Sequence, residues 1–239
     1  MPPRDWDASS YDRMSDPQLA MARDVIDRLD LRGDERVLDA GCGTGRVTEV
    51  LAQRVPDGKV IAVDGSQKMV DETRKRGITA FTADLAELTL DEPVDAILST
   101  ATFHWIPYHE RLFARLHAAL EPGGRLAAQC GGAGNVGNVQ AAIDAVDHPA
   151  LRGWDGPWNF ATPAQTTERL QRAGFSDVWA WLQPWLVEPE DPKQYFTTVI
   201  LGSHLERLPE EDREPFVDAV LAHGTHANYV RLNILARRR

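Results

Sequence analysis

The stretch Val37-Leu38-Asp39-Ala40-Gly41-Cys42-Gly43-Thr44-Gly45 decides how the rest of the chain folds. Its apolar start predicts a buried strand. Val47, Val50 and Leu51 then recur at helical spacing, so a helix begins within or just after the glycines. A strand, a glycine turn and a helix hold a nucleotide-like cofactor over the end of a parallel sheet. A purely structural turn is the alternative, so the residues that follow must decide between the two.

The spacing of the glycines indicates which cofactor this loop binds. A dinucleotide fingerprint needs its third glycine at position 46, where this chain has Arg46. Asp39 instead precedes three alternating glycines. This D-x-G-x-G-x-G pattern resembles the first motif of the class I S-adenosylmethionine-dependent methyltransferases. The resemblance implies a loop whose backbone approaches ribose and methionine closely, because this cofactor carries no phosphate.

Two acidic residues follow the glycine loop at the ends of predicted strands. The strand from 59 to 64 ends at Asp64, which follows Gly45 by 19 positions. A carboxylate about 20 residues after the glycines accepts hydrogen bonds from ribose hydroxyls. Ser66 then caps the next predicted helix. After a third strand from 78 to 81 comes Asp84, for which a role as a loop cap is the alternative to a cofactor contact.

The fourth predicted strand, from 95 to 100, is apolar on both faces, as a central parallel strand should be. Ligands of open parallel sheets bind beyond the carboxyl ends of the strands, where the strand order reverses. Strand four lies beside strand one in such a sheet, so the segment from Ala101 to Trp105 faces the cofactor. His104 is the candidate general base or substrate hydrogen-bond donor. Its alternative role is packing against Trp105.

Three segments are predicted to form a cap over a single domain of residues 1–239. They are the leader 1–20, the glycine-rich and aromatic segment 131–161, and the largely helical insertion 188–228. The glycines after position 130 predict a hinge or lid. Trp154, Trp158 and Phe160 either line a pocket or cover neighbouring helices. Strands are predicted at 125–130, 175–187 and 229–236, which makes seven in all, and the last two form a hairpin added to the parallel sheet.

Composition narrows the class of partner. The chain has 239 residues, a net charge of −10 and a pI near 5.2, which argue against nucleic acid as the main partner. The polar start of the chain lacks a signal peptide core, and no apolar run is long enough for a membrane span. Cys42 and Cys130 cannot pair at a metal by spacing. His223 and His226 lack an accompanying acid, so we expect no metal. Two cysteines of this kind suggest a reducing compartment, so we expect a cytoplasmic protein. We also expect a monomer or homodimer.

Taken together, these features resemble the class I S-adenosylmethionine-dependent methyltransferases, and most closely the trans-aconitate methyltransferase-like group of small-molecule enzymes. The segments around Trp6 and Tyr11, at 103–105 and at 231–237 carry the likeness to that group. The resemblance implies an α/β, Rossmann-like, seven-stranded, mostly parallel sheet with helices on both faces and a helical cap. It also implies S-adenosylmethionine as cofactor, S-adenosylhomocysteine as product, and O-methylation of a carboxylate on a small-molecule acceptor. The implied cofactor contacts are Asp39, Gly41, Gly43, Gly45, Asp64, Gly65, Ser66, Met69, Asp84, Leu85, Thr100 and Ala101. The implied substrate contacts are Trp6, Tyr11, His104, Trp105, Asn135 and Trp158.

Three alternatives remain open from the sequence. A hydroxyl or phenol acceptor would use His104 as the base. A protein that binds S-adenosylmethionine without catalysis is a second possibility, and an NAD(P) oxidoreductase is a third, against which Arg46 and Asp39 count. Enzymes that methylate amino groups of DNA bases or of protein glutamine often carry Asn/Asp-Pro-Pro-Tyr/Phe after strand four. Ser99-Thr100-Ala101-Thr102 stands there instead, which favours a small molecule.

Overall fold

The computed structural model describes residues 16–239, with side chains from Met21 onward, so Trp6 and Tyr11 lie outside the described residues. One seven-stranded sheet runs through the molecule in the order β3-β2-β1-β4-β5-β7-β6. β7 is antiparallel to both neighbours, and the other pairs are parallel. The predicted fold class is therefore confirmed. The strands are β1 (Arg36–Ala40), β2 (Lys59–Asp64), β3 (Ala80–Thr82), β4 (Val94–Thr100), β5 (Leu120–Gly131), β6 (Phe175–Val187) and β7 (Ala227–Arg238).

Helices connect the strands and form the cap. Ser66 and Thr162 supply side-chain caps, the latter in a capping box with Gln165. A π-helical turn spans Phe196–Ile200, and 3₁₀ turns span Phe103–Trp105 and Pro149–Leu151. The α-helices are α1 (Asp16–Asp27), α2 (Arg46–Arg54), α3 (Gln67–Lys75), α4 (His109–Ala119), α5 (Gly137–Val146), α6 (Pro163–Arg172), α7 (Pro192–Tyr195), α8 (Gly202–Leu205) and α9 (Glu210–Leu221).

Apolar side chains bury both faces of the sheet. Leu38 of β1 joins one hydrophobic cluster with Phe113 of α4. The adjacent Val37 joins a second cluster with Ile26 of α1 and Leu51 of α2. Successive strand residues point to opposite faces, so the burial of both Val37 and Leu38 shows that β1 is covered on both sides. The glycine loop therefore leaves the sheet from a strand that is packed on both faces.

A third hydrophobic cluster belongs to the cap. Val139 and Ile143 of α5 pack in it with Phe196 and with Phe216 of α9. These segments leave the sheet after β5 and between β6 and β7, at the end where the parallel strands finish. Segments 131–161 and 188–228 are thus in contact with each other over the strand ends. Among the described residues, no helix is both long and apolar enough to cross a bilayer.

Some predicted boundaries differ from the structure. The third strand begins two residues later than predicted, at Ala80. Strand five was predicted to begin at residue 125 but begins at Leu120, which already pairs with Val94. The pairing register shifts between Val94 and Ala96, and this irregularity accommodates the additional residues of β5.

Candidate active site

The glycine loop joins β1 to α2 beside the end of β2. The backbone amides of Gly41 and Cys42 both donate to the carbonyl of Val63, at 2.7 and 3.0 Å. The amide of Gly45 donates back to the Cys42 carbonyl at 3.0 Å, and α2 begins at the next residue. Because these bonds fix the loop against β2, its outer surface is held in one geometry at the end of the sheet.

The three glycines of the loop are needed for different reasons, although all have positive φ angles of 93°, 54° and 86°. A Cβ atom at Gly41 would lie 2.0 Å from Oγ1 of Thr102, and one at Gly45 would lie 2.9 Å from Oγ1 of Thr73. A Cβ atom at Gly43 would meet no atom within 4 Å. Gly41 and Gly45 therefore permit protein packing, while Gly43 borders open space that a cofactor fits.

Asp64 is placed to bind a diol beside Gly43. Its Oδ2 accepts the amide of Gly43 at 3.0 Å, and its Oδ1 accepts the amide of Ser66 at 2.9 Å. Each carboxylate oxygen has a second lone pair, so both can also accept a hydroxyl. Burial raises the pKa of Asp64, and the backbone amides oppose that shift. The arrangement suits the ribose contact that the sequence predicts.

Replacing Asp64 tests this assignment. We expect Asp64→Ala to weaken S-adenosylmethionine binding about 10- to 150-fold, because it removes charge-assisted hydrogen bonds of roughly 1.5–3 kcal/mol. Calorimetric titration of folded protein measures the change. Asp71→Ala on the outer face of α3 is the matched control and should bind normally. Equal affinity in wild type and Asp64→Ala would contradict the assignment.

Asp39 lies beneath the loop rather than on its surface. Its side chain is 1% exposed, and its Oδ2 accepts the hydroxyl of Thr48 at 2.6 Å. Its Oδ1 has no hydrogen-bond partner among the described residues. Burial, together with the charge of Asp64, raises the pKa of Asp39 to about 7. A buried carboxylate oxygen of this kind fits an N–H donor, which the amino group of S-adenosylmethionine provides.

Two of the five other predicted cofactor contacts near β2 and β3 have structural tasks. Oγ of Ser66 accepts the amide of Met69 at 3.4 Å, which caps α3. Oδ1 of Asp84 accepts the amide of Ala86 at 2.8 Å, so this acid does cap a turn. Leu85 is 4% exposed and belongs to the main core. The cofactor contact that the resemblance implies for Leu85 stays a prediction. Met69 is likewise 3% exposed, and Gly65 remains half-buried beside Asp64.

A strained turn follows β4. Ala101 has a φ of 55°, a left-handed conformation that is uncommon for residues other than glycine, and its amide donates to the Gln129 carbonyl at 2.7 Å. The hydroxyl of Thr102 donates to the Thr100 carbonyl at 2.9 Å. Strain of this kind clusters at functional sites. This turn directs the chain from the centre of the sheet into the 3₁₀ turn that carries His104.

His104 is buried, and its hydrogen bond with Gly131 indicates which ring nitrogen carries the proton. The amide of Gly131 donates to Nδ1 at 3.2 Å, and the ring is 7% exposed. Burial, reinforced by the charges of Arg231 and His109, holds the pKa of His104 well below its ordinary value. A neutral ring whose Nδ1 accepts a hydrogen bond carries its proton on Nε2. His104 therefore presents an N–H group, which is a donor and not the lone pair that a general base needs.

An aromatic wall extends from His104 into the cap. Its members are His104, Trp105, Trp158 and Phe160. The ring of His104 lies 5.0 Å from that of Trp105 and 5.9 Å from that of Phe160. Trp158 stacks on Phe160 at 5.3 Å and lies 6.2 Å from Trp105. The fold thus brings together three of the predicted substrate contacts, His104, Trp105 and Trp158.

Asn135 and the preceding glycines have structural contacts that the sequence did not reveal. Asn135 is 6% exposed, and its Oδ1 accepts the amide of Val230 at 2.9 Å, so it ties the segment after β5 to β7. A Cβ atom at Gly131 would lie 2.6 Å from the ring of Phe160, and one at Gly132 would lie 2.6 Å from Leu182. These two glycines permit close packing, while the substrate contact of Asn135 and the hinge stay predictions.

Comparison with known proteins identifies the family. A family model described as a methyltransferase domain matches residues 37–124. The trans-aconitate 2-methyltransferase of Methylobacterium nodulans is 34% identical over 182 residues, which are 74% of this chain and 67% of the relative. The chain belongs to the class I S-adenosylmethionine-dependent methyltransferases. The enzyme of the same name from Rhodopseudomonas palustris is 34% identical to this methyltransferase over 176 residues, or 71% of this chain and 65% of the relative. The methyltransferase therefore spans about two thirds of the length of these curated relatives.

Solved structures support the same fold for this methyltransferase. Haemonchus contortus phosphoethanolamine N-methyltransferase 2, in complex with S-adenosyl-L-methionine, superposes with a TM-score of 0.64 at 17% identity. The match covers 97% of this chain and 56% of that one. The YcgJ protein of Bacillus subtilis gives a TM-score of 0.61 at 16% identity, covering 93% and 98%. S-adenosylmethionine is the cofactor of the family, and the open space at Gly43, the Asp64 carboxylate and the unpartnered oxygen of Asp39 fit it.

Proposed function

We propose that this methyltransferase transfers a methyl group to a carboxylate of a small organic acid of the trans-aconitate type. The observation that carries the proposal is the hydrogen bond from the Gly131 amide to Nδ1 of His104, which places the proton of a neutral ring on Nε2. A hydroxyl or phenol acceptor must lose a proton, and His104 presents an N–H group in place of a base. A carboxylate is already ionised at neutral pH and needs none.

The proposed reaction balances without proton transfer. S-adenosylmethionine supplies a methyl group bound to a cationic sulfur. A carboxylate oxygen of the acceptor forms the new bond to that methyl carbon, and the carbon–sulfur bond breaks with its electron pair going to sulfur. The chain contributes by positioning, which can supply up to roughly 7–11 kcal/mol of a barrier in well-oriented systems. Nε2–H of His104 orients the acceptor carboxylate, and the aromatic wall excludes water from it.

The names of the relatives and the composition support the rest of the proposal. Curated relatives that match over most of this chain are trans-aconitate 2-methyltransferases. The net charge of −10 supports the absence of a nucleic-acid partner. The two buried free thiols, Cys42 and Cys130, support a cytoplasmic location. We propose that the protein is a monomer or a homodimer. Phenol methylation and donor binding without turnover remain the competing outcomes of the experiment.

Methyl transfer from radiolabelled S-adenosylmethionine to a panel of carboxylic acids, phenols and amines tests the proposal. We expect labelled product with trans-aconitate and related acids. That product should release labelled methanol in mild alkali, because esters hydrolyse under these conditions and methyl ethers and methylamines do not. The Gly43→Val variant, which should not bind S-adenosylmethionine, gives the background level of labelled product. Alkali-stable product, or binding of the donor without transfer to any acid, would overturn the proposal.

The role of His104 gives a separate prediction. We expect His104→Gln to lower kcat/KM about 2- to 10-fold, because glutamine still donates an N–H to the carboxylate and so loses only part of a charge-assisted hydrogen bond of roughly 1.5–3 kcal/mol. Because the pKa of His104 lies below its ordinary value, its ring stays neutral across the neutral range. The profile of kcat/KM against pH should therefore show no rising limb near ~6.5 in either protein.

The control for this prediction is His223→Gln, which changes an exposed histidine of the cap and should match wild type. A rising limb near neutrality in wild type that disappears in His104→Gln, with a loss of roughly 10²- to 10⁴-fold, would instead show base catalysis. That result would favour a hydroxyl or phenol as the methyl acceptor.

A further inference from the structure

The 3₁₀ turn Phe103–Trp105, which carries His104, is too short to fix its own geometry. It is closed by two backbone hydrogen bonds of 2.9 and 3.0 Å. Hydrogen bonds of such turns have poorer geometry than those of an α-helix. The turn also follows the strained backbone of Ala101, and strain of this kind persists only where the surroundings enforce it. Contacts from outside the turn must therefore set the direction of His104.

His109 of α4 supports the turn from inside the core. Its Nε2 lies 2.9 Å from the carbonyl oxygen of Phe103, and its Nδ1 lies 3.2 Å from Nη1 of Arg169 on α6. A guanidinium only donates hydrogen bonds, so Nδ1 accepts and the proton of the neutral ring is on Nε2. Burial lowers the pKa of His109, which favours this neutral ring. His109 therefore donates a hydrogen bond to the turn.

Asn159 supports the same turn from the cap. Its backbone amide donates to the carbonyl of His104 at 2.8 Å. Its Nδ2 donates to the carbonyls of Ile106 and Pro107, both at 3.2 Å, and only the nitrogen end of the side-chain amide can face two acceptors. The residues on either side of Asn159 in the sequence both belong to the aromatic wall. The cap segment that forms the wall is thus fastened to the backbone of His104.

We propose that His109 and Asn159 are positioning residues that direct Nε2–H of His104 toward the acceptor. This inference rests on the proposed function and deepens it. The Gly131 amide holds the ring of His104 at Nδ1, while His109 and Asn159 hold the backbone from which that ring extends. A misplacement of about 1 Å can lower a rate roughly 10²-fold, so residues that act only through His104 can still control turnover.

A double-mutant cycle tests whether Asn159 acts through His104. We expect Asn159→Ala to lower kcat/KM for trans-aconitate about 3- to 30-fold, because the turn can then shift by a fraction of an ångström. In His104→Ala, which lacks the N–H group, the same change should have a further effect below about 2-fold, because residues that act as one unit are not additive. Losses that multiply in the double variant would overturn the inference.

Asn138→Ala is the matched control for Asn159→Ala. Nδ2 of Asn138 donates to the carbonyl of His226 at 2.8 Å, and its Oδ1 accepts the amide of Asn228 at 2.9 Å, so it also ties the cap to main-chain groups. This variant should lower the melting temperature much as Asn159→Ala does, yet leave kcat/KM unchanged. An equal loss of activity in both variants would show a general effect of cap stability and overturn the role of Asn159.

Two variants of His109 test the second contact. His109→Phe keeps a ring in the core but removes the donor, so kcat/KM should fall as in Asn159→Ala. His109→Gln keeps a donor for the Phe103 carbonyl and should recover most of that loss. Equal activity of the two variants would overturn the role of the hydrogen bond.

¹⁵N NMR of the histidine rings tests the geometry without turnover and separates the two proposals. The protein would be labelled at histidine and saturated with S-adenosylhomocysteine, and His104→Gln would identify the resonances of His104. We expect Nδ1 of His104 to shift in Asn159→Ala and to stay in place in Asn138→Ala. An unchanged resonance in both variants would overturn the inference and leave carboxylate methylation standing. The expected shift, in a protein that methylates no acid, would overturn the proposed function and leave the positioning of His104 standing.

Discussion

Gly43→Val should abolish S-adenosylmethionine binding while the protein remains folded. The glycine has a φ of 54°, and a Cβ atom there would enter open space with no protein atom within 4 Å. A branched side chain would occupy the space proposed for the cofactor. Overpacking of this kind costs about 1–3 kcal/mol of binding free energy, whereas the roughly 1–2 kcal/mol of left-handed strain destabilises the free and bound protein alike. We expect an affinity loss of about 100-fold or more by calorimetry.

Two control variants separate binding from folding. Gly123→Val carries the same kind of strain, with a φ of 84° and open space around it, but lies at the opposite end of the sheet and should bind normally. Gly41→Ala should instead lower the melting temperature, because its Cβ atom would lie 2.0 Å from Oγ1 of Thr102. Normal binding by folded Gly43→Val would show that the cofactor does not lie over this glycine.

Glu35→Ala should destabilise the protein by about 3 kcal/mol, the lower end for breaking a buried ion pair. The Glu35 side chain is fully buried just before β1 and accepts hydrogen bonds from the amides of Arg32 and Gly33 and from Arg125 at 2.8 Å. The lower end applies because the side chain of Arg125 is 17% exposed and can reach water. For a chain of 239 residues, this corresponds to a fall in melting temperature of about 6–12 °C.

The neighbouring Asp34 gives the matched control. Its pair with Arg32 is exposed, with both side chains 68% accessible, so Asp34→Ala should change stability by less than about 0.5 kcal/mol. A melting temperature of Glu35→Ala equal to that of Asp34→Ala would contradict the role of the buried pair.

The pH dependence of Glu35→Ala is a second readout. Burial raises the pKa of Glu35, but the hydrogen bonds outweigh it and hold that pKa at about 2, below the ordinary 4.5. A carboxyl group whose pKa is lowered in the folded state stabilises the protein above its unfolded pKa. That stability is lost as the pH falls through the folded pKa. The difference in melting temperature between wild type and Glu35→Ala should therefore be constant above about pH 5 and shrink toward pH 3. A constant difference down to pH 3 would contradict the depressed pKa.

The sequence predicted the sheet well because its strands carry strong local signals. β2 and β6 have the bounds predicted for them, and β1 and β4 pair as expected. An apolar or alternating run bounded by turn residues is enough to predict a strand of this kind. The start of β5 was missed, since its pairing with β4 depends on a register shift. The segment 120–124 carries Pro and Gly, which locally favour a turn.

Site residues whose place depends on spacing along the chain could be predicted from the sequence. Contacts that depend on packing between distant segments could not. Asp64 ends a strand at a characteristic distance from the glycines, so its place could be inferred. Asn135 and Gly131 have tasks set by Val230 and Phe160, which are distant in sequence.

The cap insertion between β6 and β7 begins and ends at a single pair of facing residues, Val187 and Ala227. The two ends of this cassette, residues 188–226, therefore lie side by side, and its exchange would leave the β6–β7 pairing intact but would remove its packing against α5. The match to the methyltransferase family model, residues 37–124, ends before this cassette and before the segment that follows β5. The proposed acceptor contacts are thus divided along the gene: His104 and Trp105 lie inside the matched residues, while Trp158 lies outside them with the cassette.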